Sequence, residues 1–284
     1  MTADEPDWPD SLREGLVGRH GPPRACTRLA GLSRNRVWRV AFSGIDFIVK
    51  ASPSGVEAAF YGSVAPVVFG PGGATPGFVA ACGPVRGTGA TTWIVLESIP
   101  HPLPRERWSA DPEVIAVLDR LHGASPEPLE IELFVPAWSE ERNERVLAFL
   151  PPDMRARVEP RLSAMRLEAQ PLFEPDGWIS GDPNPRNWGL RDDGSLVLFD
   201  WERLGLGCPE LDLAITLPGL GDREGFERVA RASGRDARRI AVAKAWNVIE
   251  FLDMAASGRL GDAAAVPMLV QALPDWLDSL AESA

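Results

Sequence analysis

Two apolar runs, residues 188–190 and 196–199, flank the dipeptide Asp193-Gly194. Asp-Gly tolerates the positive φ angles of a two-residue turn, so this pattern predicts a β-hairpin. Antiparallel pairing across such a turn places Asn187 opposite Asp200. Because paired residues bring their Cβ atoms to about 5 Å, the amide oxygen and the carboxylate would be able to hold the same cation. The hairpin therefore predicts a two-ligand metal site.

Asn187 and Asp200 offer hard oxygen atoms, the ligand type that Mg²⁺ prefers, and Mg²⁺ leaves its other positions to water and substrate phosphates. Asp182 precedes this pair in a loop that Pro183 and Pro185 stiffen. There it is placed to accept a hydroxyl proton or to orient the hydroxyl. The spacing suggests a base, a metal ion and a phosphate. Taken alone, the segment would more simply be an ordinary hairpin whose Asp and Asn serve turns and caps.

Lysine is rare in this sequence: Lys50 and Lys244 are the only lysines among 29 basic residues. Lys50 ends the run FIVK, and the pattern of residues 36–41 and 47–51 predicts two antiparallel strands. An ammonium group is compact and suits a phosphate contact. Glu57, at the start of the predicted helix VEAAFYGSV, is the predicted partner of Lys50. The alternative is a solvated charge at a strand end.

The stretch AGLSRNRVWRV, residues 30–40, lies between two strand-like runs, where a phosphate-covering loop is expected. Gly31 is its one glycine, so the stretch does not match the pattern G-x-G-x-x-G. A turn that contains Ser33 and Asn35 can still present backbone N–H groups to an anion. Ser33 and Asn35 are therefore candidate nucleotide-binding residues.

Several motifs along most of the chain together resemble the aminoglycoside phosphotransferase family, which has a protein-kinase-like fold. The matching pieces are GLSRNRVWRV, FIVK, WIVLESIP, LDRLHG, ISGDPNPRNWG and LFDWERLGLGCPELDLA. Each piece alone is a weak signal, but their order and spacing together are specific. The resemblance implies Asp182 as the catalytic base and Asn187 and Asp200 as Mg²⁺ ligands. It also implies that Lys50, paired with Glu57, contacts the α- and β-phosphates of ATP or GTP.

The resemblance further implies adenine hydrogen bonds to the backbone at Glu97 and Ile99. Asp212 would be structural and would hold the catalytic loop from the start of a buried helix. The sequence departs from the family at Ser180, two residues before Asp182, where a histidine is usual. The serine is expected to weaken the positioning of the loop more than its chemistry.

The elements and the resemblance predict an α+β fold of the bilobal, protein-kinase-like type. Residues 1–98 are expected to form a sheet-rich nucleotide-binding lobe, in which an amino-terminal segment up to Pro23 precedes the strands and one helix. Residues 99–284 are expected to form a mainly helical lobe with the catalytic loop, the metal-binding loop and the acceptor site. Its predicted helices are residues 112–122, 139–150, 160–167, 210–217, 223–232, 236–256 and 263–282.

Composition predicts a reduced cytoplasmic protein. The 284 residues, 45% of them hydrophobic, can bury a substantial core. The amino terminus shows no secretory signal, and no apolar run approaches the roughly 20 residues of a membrane span. Cys26, Cys82 and Cys208 are odd in number and far apart, which disfavours disulfides and a zinc site. The sequence is silent on oligomeric state.

Acidic residues outnumber basic ones beyond residue 98, so nearly all of the net charge of −11 lies in the second lobe. An acidic acceptor lobe favours a cationic substrate and disfavours nucleic acid or an anionic membrane, although a solvated acidic surface explains the excess equally well.

Glu250 and Asp253 are candidate acceptor contacts, the alternative being a solvated helix face. Trp188 and Trp201 are candidates for stacking on a sugar or cation, the alternative being core residues.

The predicted function is transfer of the γ-phosphate of ATP, or of GTP, to a hydroxyl of a small cationic molecule such as an aminoglycoside antibiotic. Only eleven residues separate Asp200 from Asp212, too few for the segment that holds peptides in protein kinases. The first alternative is a metabolic kinase of the same fold acting on choline, homoserine or an amino sugar. The others are a nucleotide-binding module without turnover and an interaction protein with an acidic surface.

Overall fold

The computed structural model describes residues 6–29, 35–83, 91–126, 129–260 and 264–282. They divide into two compact units. The first comprises Met1–Pro102, Glu127–Leu133 and Asn187–Leu204, and the second comprises Leu103–Pro126, Phe134–Arg186 and Gly205–Ala284. The sequence predicts one boundary after residue 98, whereas the chain passes between the units several times. The hairpin near residue 193 belongs to the first unit.

The α+β class is confirmed, with a sheet in the first unit and mainly helices in the second. The strands are β1 (Ala25–Leu29), β2 (Arg36–Ala41), β3 (Asp46–Ser52), β4 (Phe78–Cys82), β5 (Thr92–Glu97), β6 (His101–Pro102), β7 (Gly177–Ile179), β8 (Trp188–Leu190), β9 (Leu196–Leu198) and β10 (Gly205–Gly207). The helices are α1 (Asp10–His20), α2 (Val56–Ala59), α3 (Ala65–Val68), α4 (Pro112–His122), α5 (Glu140–Phe149), α6 (Pro152–Ala169), α7 (Pro209–Ile215), α8 (Arg223–Ser233), α9 (Ala237–Ala256) and α10 (Val266–Glu282). Within the described ranges, none of the helices combines the length and apolar content needed to cross a membrane.

The sheet of the first unit has the strand order β1-β2-β3-β5-β4, and every neighbouring pair is antiparallel. The strands predicted at residues 36–41 and 47–51 are β2 and β3. α1, for which the sequence predicts no element, packs Leu12 and Leu16 against this sheet. The shared core comprises Trp8, Leu12, Leu16, Trp38, Val40, Phe42, Phe47, Val49, Ala51, Trp93 and Val95. Because β3 contributes Phe47, Val49 and Ala51 to this core, the packing holds in place the strand that carries Lys50.

The helix predicted after β3 consists of α2, a π-helical turn over Phe60–Val64 and α3. Phe60 stacks on Trp201, with ring centroids 3.8 Å apart and an interplanar angle of 15°. Trp201 is fully buried, so the stack joins this helix to the segment after β9. Glu57 lies three residues before Phe60 and therefore on the same helix face. The stack thereby orients Glu57 toward the segment after β9.

The hairpin of β8 and β9 has a three-residue loop rather than the predicted two-residue turn. The Arg191 N–H donates to the Ser195 carbonyl at 3.0 Å, so the loop between them has three residues. Its third residue, Gly194, has a φ of 83°. A three-residue hairpin loop needs this left-handed conformation at that position, which glycine adopts without strain. The Asp-Gly pair thus forms a different turn from the predicted one.

The longer loop shifts the strand register, and the predicted pairing of Asn187 with Asp200 is wrong by one residue. Trp188 pairs with Leu198. Asn187 lies opposite Phe199, whose N–H donates to the Asn187 carbonyl at 2.9 Å. Asp200 follows the paired strand and has a φ of 67°. This left-handed conformation, which aspartate tolerates better than most residues, turns the chain away from the hairpin at Asp200.

The second unit is built around α9, which packs against α5, α6, α7 and α8. Most predicted helices agree with the structure within a few residues, but the helix predicted at residues 160–167 is too short. α6 begins at Pro152 and continues to Ala169, with Pro160 in its interior. Proline is favoured in a first turn because its missing N–H leaves no helical hydrogen bond unmade there. Pro152 thus starts α6 rather than merely ending α5.

Candidate active site

A buried lysine lies among three carboxylates in the first unit. Lys50 Nζ is 2.6 Å from Glu57 Oε2 and 2.8 Å from Asp200 Oδ1. It is also 3.5 Å from Glu202 Oε1. Burial alone would lower the pKa of Lys50, but the charges of Glu57 and Asp200 raise it above its ordinary value. Lys50 is therefore a fixed positive charge, and the predicted pair of Lys50 with Glu57 is present.

Glu57 is the best-anchored carboxylate of the cluster. Its Oε1 accepts the Trp201 N–H at 3.1 Å, and its Oε2 faces Lys50. Burial raises the pKa of Glu57 above its ordinary value, although the Lys50 ammonium acts in the opposite direction. Glu57 therefore connects the helix after β3 to both the lysine strand and the segment after β9.

Glu202 belongs to the same cluster, and the sequence reasoning did not single it out. Its Oε1 accepts a hydrogen bond from Ser52 Oγ at 3.0 Å and another from Asn35 Nδ2. Asn35 thus contacts the cluster through its side chain. The one sequence signal was the spacing in DWE, which puts a second carboxylate two residues after Asp200. Ser33, the other candidate of that loop, lies outside the described residues.

The carboxylates of this cluster have the chemistry of a divalent-cation site. Glu57, Asp200 and Glu202 each offer one oxygen, and these atoms lie within 4.8 Å of one another. Carboxylate oxygens are ligands that Mg²⁺ prefers, and one lysine leaves the cluster with a net negative charge. Asp200 has 39% of its side chain exposed, the largest fraction of the three. The observed register removes the geometric argument for Asn187, whose role as a ligand rests on the family resemblance.

The residues predicted to bind adenine lie at and after the end of β5. The Glu97 side chain binds Arg191 and accepts the Gly77 N–H at 2.8 Å, so its carboxylate is occupied within the protein. Ile99 packs over Gly189, where an added Cβ would lie 2.7 Å from Ile99 Cγ2. Only glycine therefore fits beneath Ile99. The backbone hydrogen bonds from Glu97 and Ile99 to adenine stay a prediction.

In the second unit, a buried aspartate holds the loop that contains Asp182. Asp212, at 0% exposure on α7, accepts the N–H groups of Ser180 at 2.7 Å and Gly181 at 2.8 Å. Gly181 has a φ of 75°, a left-handed conformation that favours glycine. Asp182 follows directly, and its Oδ1 accepts a hydrogen bond from Asn184. The contact of Asp212 with the loop is the one that the resemblance implied.

A histidine also supports this loop, although Ser180 replaces the one usual in the family. His122 Nε2 lies 3.0 Å from Asp212 Oδ2, and both side chains are buried. Because a carboxylate only accepts hydrogen bonds, Nε2 is the protonated nitrogen in this contact. His122 is the last residue of α4, in agreement with the helix predicted at residues 112–122. It gives Asp212 a third hydrogen-bond donor, beside the two N–H groups of the loop.

Glu250 and Asp253 are not on a solvated helix face, and arginines surround them. Asp253 has 1% of its side chain exposed and is bound by Arg145 and Arg259 at 2.6 and 2.9 Å. Arg142 lies 3.6 Å from Glu250. These contacts neutralise both carboxylates, so neither is a good candidate for a cationic acceptor.

Trp188 and Trp201 are core residues. Trp188 is 1% exposed and Trp201 is fully buried. Trp201 stacks on Phe60, and its Nε1 donates to the Leu198 carbonyl at 3.1 Å. Neither ring face is open to a ligand. Stacking on a sugar or cation is therefore excluded for both residues.

Comparisons with known proteins agree with this arrangement. The model of the phosphotransferase enzyme family, APH, matches residues 25–252. No curated protein matches the chain. A spectinomycin phosphotransferase solved with ADP and spectinomycin is 13% identical with a TM-score of 0.64, over 98% of this chain and 95% of that one.

Two further solved structures are similar. The choline kinase LicA from Streptococcus pneumoniae is 15% identical with a TM-score of 0.61, over 95% of this chain and 98% of that one. A microcompartment-associated aminopropanol kinase is 11% identical with a TM-score of 0.65, over 96% and 95%. At these identities the solved structures show the fold, and the family model shows the family. The chain therefore belongs to the phosphotransferase enzyme family and is a small-molecule phosphotransferase.

Proposed function

We propose that the chain transfers the γ-phosphate of ATP, with GTP as a possible second donor, to a hydroxyl group of a small cationic molecule. The observation that carries the proposal is the buried Lys50 held between Glu57 and Asp200. A lysine fixed in this way presents a permanent positive charge to phosphates, and the carboxylate oxygens can coordinate a divalent cation.

In the proposed reaction, the acceptor oxygen bonds to the γ-phosphorus and the bond from that phosphorus to the β,γ-bridging oxygen breaks. ADP leaves, and the hydroxyl proton passes to the Asp182 carboxylate. Lys50 contacts the α- and β-phosphates and lowers the energy of the charge that develops on them. Asp200, Glu202 and Asn187 are the residues that would hold Mg²⁺. When bound, Mg²⁺ neutralises phosphate charge and orients the phosphates.

The proposed acceptor is a hydroxylated amine. Spectinomycin, choline and aminopropanol, which appear in the names of the three similar structures, all combine a hydroxyl with a cationic nitrogen. The acidic excess beyond residue 98 favours the same charge. An aminoglycoside, whose phosphorylation in the cytoplasm would confer resistance, is the leading acceptor. A metabolic amino alcohol such as choline is the second.

The test has two stages. First, thermal unfolding is followed with ATP and with GTP, each with and without Mg²⁺, and a Mg²⁺-dependent rise in Tm is expected. No rise with either nucleotide would overturn the proposal. Second, release of ADP is measured with a panel of aminoglycosides, choline, aminopropanol and homoserine. Asp182→Asn is the control, since it keeps the side-chain shape but removes the base. ADP release that this variant leaves unchanged would contradict the role of Asp182.

A further inference from the structure

Asn184 uses both ends of its amide group within the loop that contains Asp182. Its Nδ2 donates to Asp182 Oδ1 at 2.9 Å. Its Oδ1 accepts the Arg186 N–H at 2.9 Å. A carboxylate only accepts and a backbone N–H only donates, so these two partners fix which end of the amide is which. The donor group of Asn184 is therefore directed at Asp182.

The backbone around Asn184 is unusually constrained. Pro183 and Pro185 flank it, both are buried, and their rings fix φ near −65°. Asp212 holds the backbone before Asp182 through the N–H of Gly181. The loop thus has little freedom to turn Asn184 away, and an amide that is already ordered loses little entropy when it binds the carboxylate.

We infer that Asn184 is a positioning residue for Asp182. Its Nδ2–H holds one carboxylate oxygen and thereby sets the plane in which the carboxylate meets the acceptor hydroxyl. This inference rests on the proposed function, in which Asp182 takes the hydroxyl proton. A base displaced by about 1 Å can lose about 10²-fold in rate, so one hydrogen bond that fixes the rotamer has a measurable effect.

A turn-forming role is the competing explanation, and it makes the opposite prediction. In a turn residue, only Oδ1 matters, because it accepts the Arg186 N–H. Aspartate forms such turns as well as asparagine does. In a positioning residue, Nδ2 matters, and aspartate would place a second carboxylate against Asp182. Asn184→Asp and Asn184→Ala therefore separate the two roles.

The experiment measures kcat and both KM values for wild type, Asn184→Asp and Asn184→Ala, with the acceptor that wild type phosphorylates. Positioning predicts that kcat falls about 10²-fold in Asn184→Asp and about tenfold in Asn184→Ala, with the nucleotide KM within about threefold of wild type. A turn role predicts the reverse order, with Asn184→Asp close to wild type and Asn184→Ala damaged. That order, or two variants equal to wild type, would overturn the inference.

Two controls keep the result interpretable. Nucleotide affinity and Tm are measured for each variant, and both are expected to stay near the wild-type values. If Asn184→Asp does not fold, kcat and Tm of Asn184→Ala are compared. Positioning predicts a lower kcat at an unchanged Tm, whereas an unchanged kcat, or a fall in kcat together with Tm, contradicts positioning. If wild type transfers phosphate and the variants match it, only the inference fails. If wild type transfers phosphate to no acceptor, the proposed function fails, and the inference with it.

Discussion

The Arg191 guanidinium holds the Glu97 carboxylate with two hydrogen bonds, from Nε to Oε1 at 2.9 Å and from Nη2 to Oε2 at 3.0 Å. The same guanidinium donates to the carbonyl oxygens of Gly73 at 3.1 Å and Thr75 at 2.7 Å. Burial raises the pKa of Glu97, but the Arg191 contacts and the hydrogen bond from the Gly77 N–H together lower this pKa below its ordinary value. Arg191 thus ties the end of β5, where adenine is proposed to bind, to the β8–β9 hairpin.

We predict that Arg191→Lys weakens nucleotide binding more than it slows transfer. A lysine keeps the charge but lacks the planar fork that reaches Glu97, Gly73 and Thr75 together. The end of β5 would then lose its connection to the hairpin, and the nucleotide KM should rise about tenfold while kcat stays within about threefold. Steady-state kinetics with ATP varied at saturating acceptor measure both values.

Arg39→Lys is the matched control for Arg191→Lys. Arg39 lies on β2 of the same unit and pairs with Asp46 at 2.6 Å, but 54% of its side chain is exposed. An exposed pair of this kind contributes about 0–1 kcal/mol, so the nucleotide KM should not change. Equal KM values for Arg191→Lys and wild type would show that the Arg191 network is not coupled to nucleotide binding.

Lys50 is predicted to serve both stability and catalysis, and two variants separate the roles. Lys50→Met leaves Glu57 buried without its cation, which should lower the free energy of unfolding by about 2–4 kcal/mol. The double variant Lys50→Met/Glu57→Gln removes that unpaired charge and keeps an oxygen for the Trp201 N–H. Its stability should recover, whereas phosphoryl transfer should remain about 10³-fold or more below wild type.

Urea unfolding and ADP release are measured for wild type, the single variant and the double variant. Recovery of stability without recovery of activity is the expected pattern. A double variant that regains activity would exclude Lys50 from phosphoryl transfer. A single variant as stable as wild type would show that Glu57 takes up a proton at no cost when its cation is lost.

The sequence was sufficient for contacts whose two residues are both assigned by motif position and insufficient for the contacts of Glu202. The pairing of Lys50 with Glu57 and the hold of Asp212 on the loop that contains Asp182 follow from motif positions. Glu202 was missed because its partners, Asn35 directly before β2 and Ser52 at the end of β3, come from far earlier in the chain. No local pattern encodes that convergence.

The errors in the sequence predictions also have physical causes. Asp193-Gly194 is compatible with a two-residue turn and with a three-residue loop that ends in a left-handed glycine, and only cross-strand packing decides between them. Glu250 and Asp253 have the spacing of one helix face, but α5 and its arginines cover that face. Whether a helix face is solvated depends on tertiary neighbours, which local periodicity does not specify.

Asp212→Asn is predicted to destabilise the second unit. The carboxylate accepts the N–H groups of Ser180 and Gly181 on different oxygens, and an amide would turn an N–H group toward one of these donors. A buried donor without an acceptor should lower the free energy of unfolding by about 2–3 kcal/mol. Chemical denaturation measures the change.

The control for Asp212→Asn is Asp222→Asn in the same unit. Asp222 caps α8 by accepting the Gly225 N–H at 2.7 Å, and asparagine caps helices about as well as aspartate. Its free energy of unfolding should therefore stay within about 0.5 kcal/mol of wild type. If the two variants were equally stable, the exchange of a carboxylate for an amide at Asp212 would not matter, and the loop that contains Asp182 would have to be held by other contacts.

Lys244 gives the stability of the second unit a predictable dependence on pH. It is 3% exposed on α9, its Nζ donates to the Leu217 carbonyl at 2.7 Å, and burial lowers its pKa from 10.5 to about 7. Between these two pH values the unfolded chain holds one proton more than the folded chain, so raising the pH favours the folded state. Relative to Lys244→Met, the free energy of unfolding of wild type should rise by up to about 1.4 kcal/mol per pH unit between pH 7 and 10. Urea unfolding of both proteins at pH 7, 8, 9 and 10 measures this difference, since other titrating groups are common to both. Parallel stability curves would mean that Lys244 keeps its proton in the folded state, with a pKa close to that of an exposed lysine.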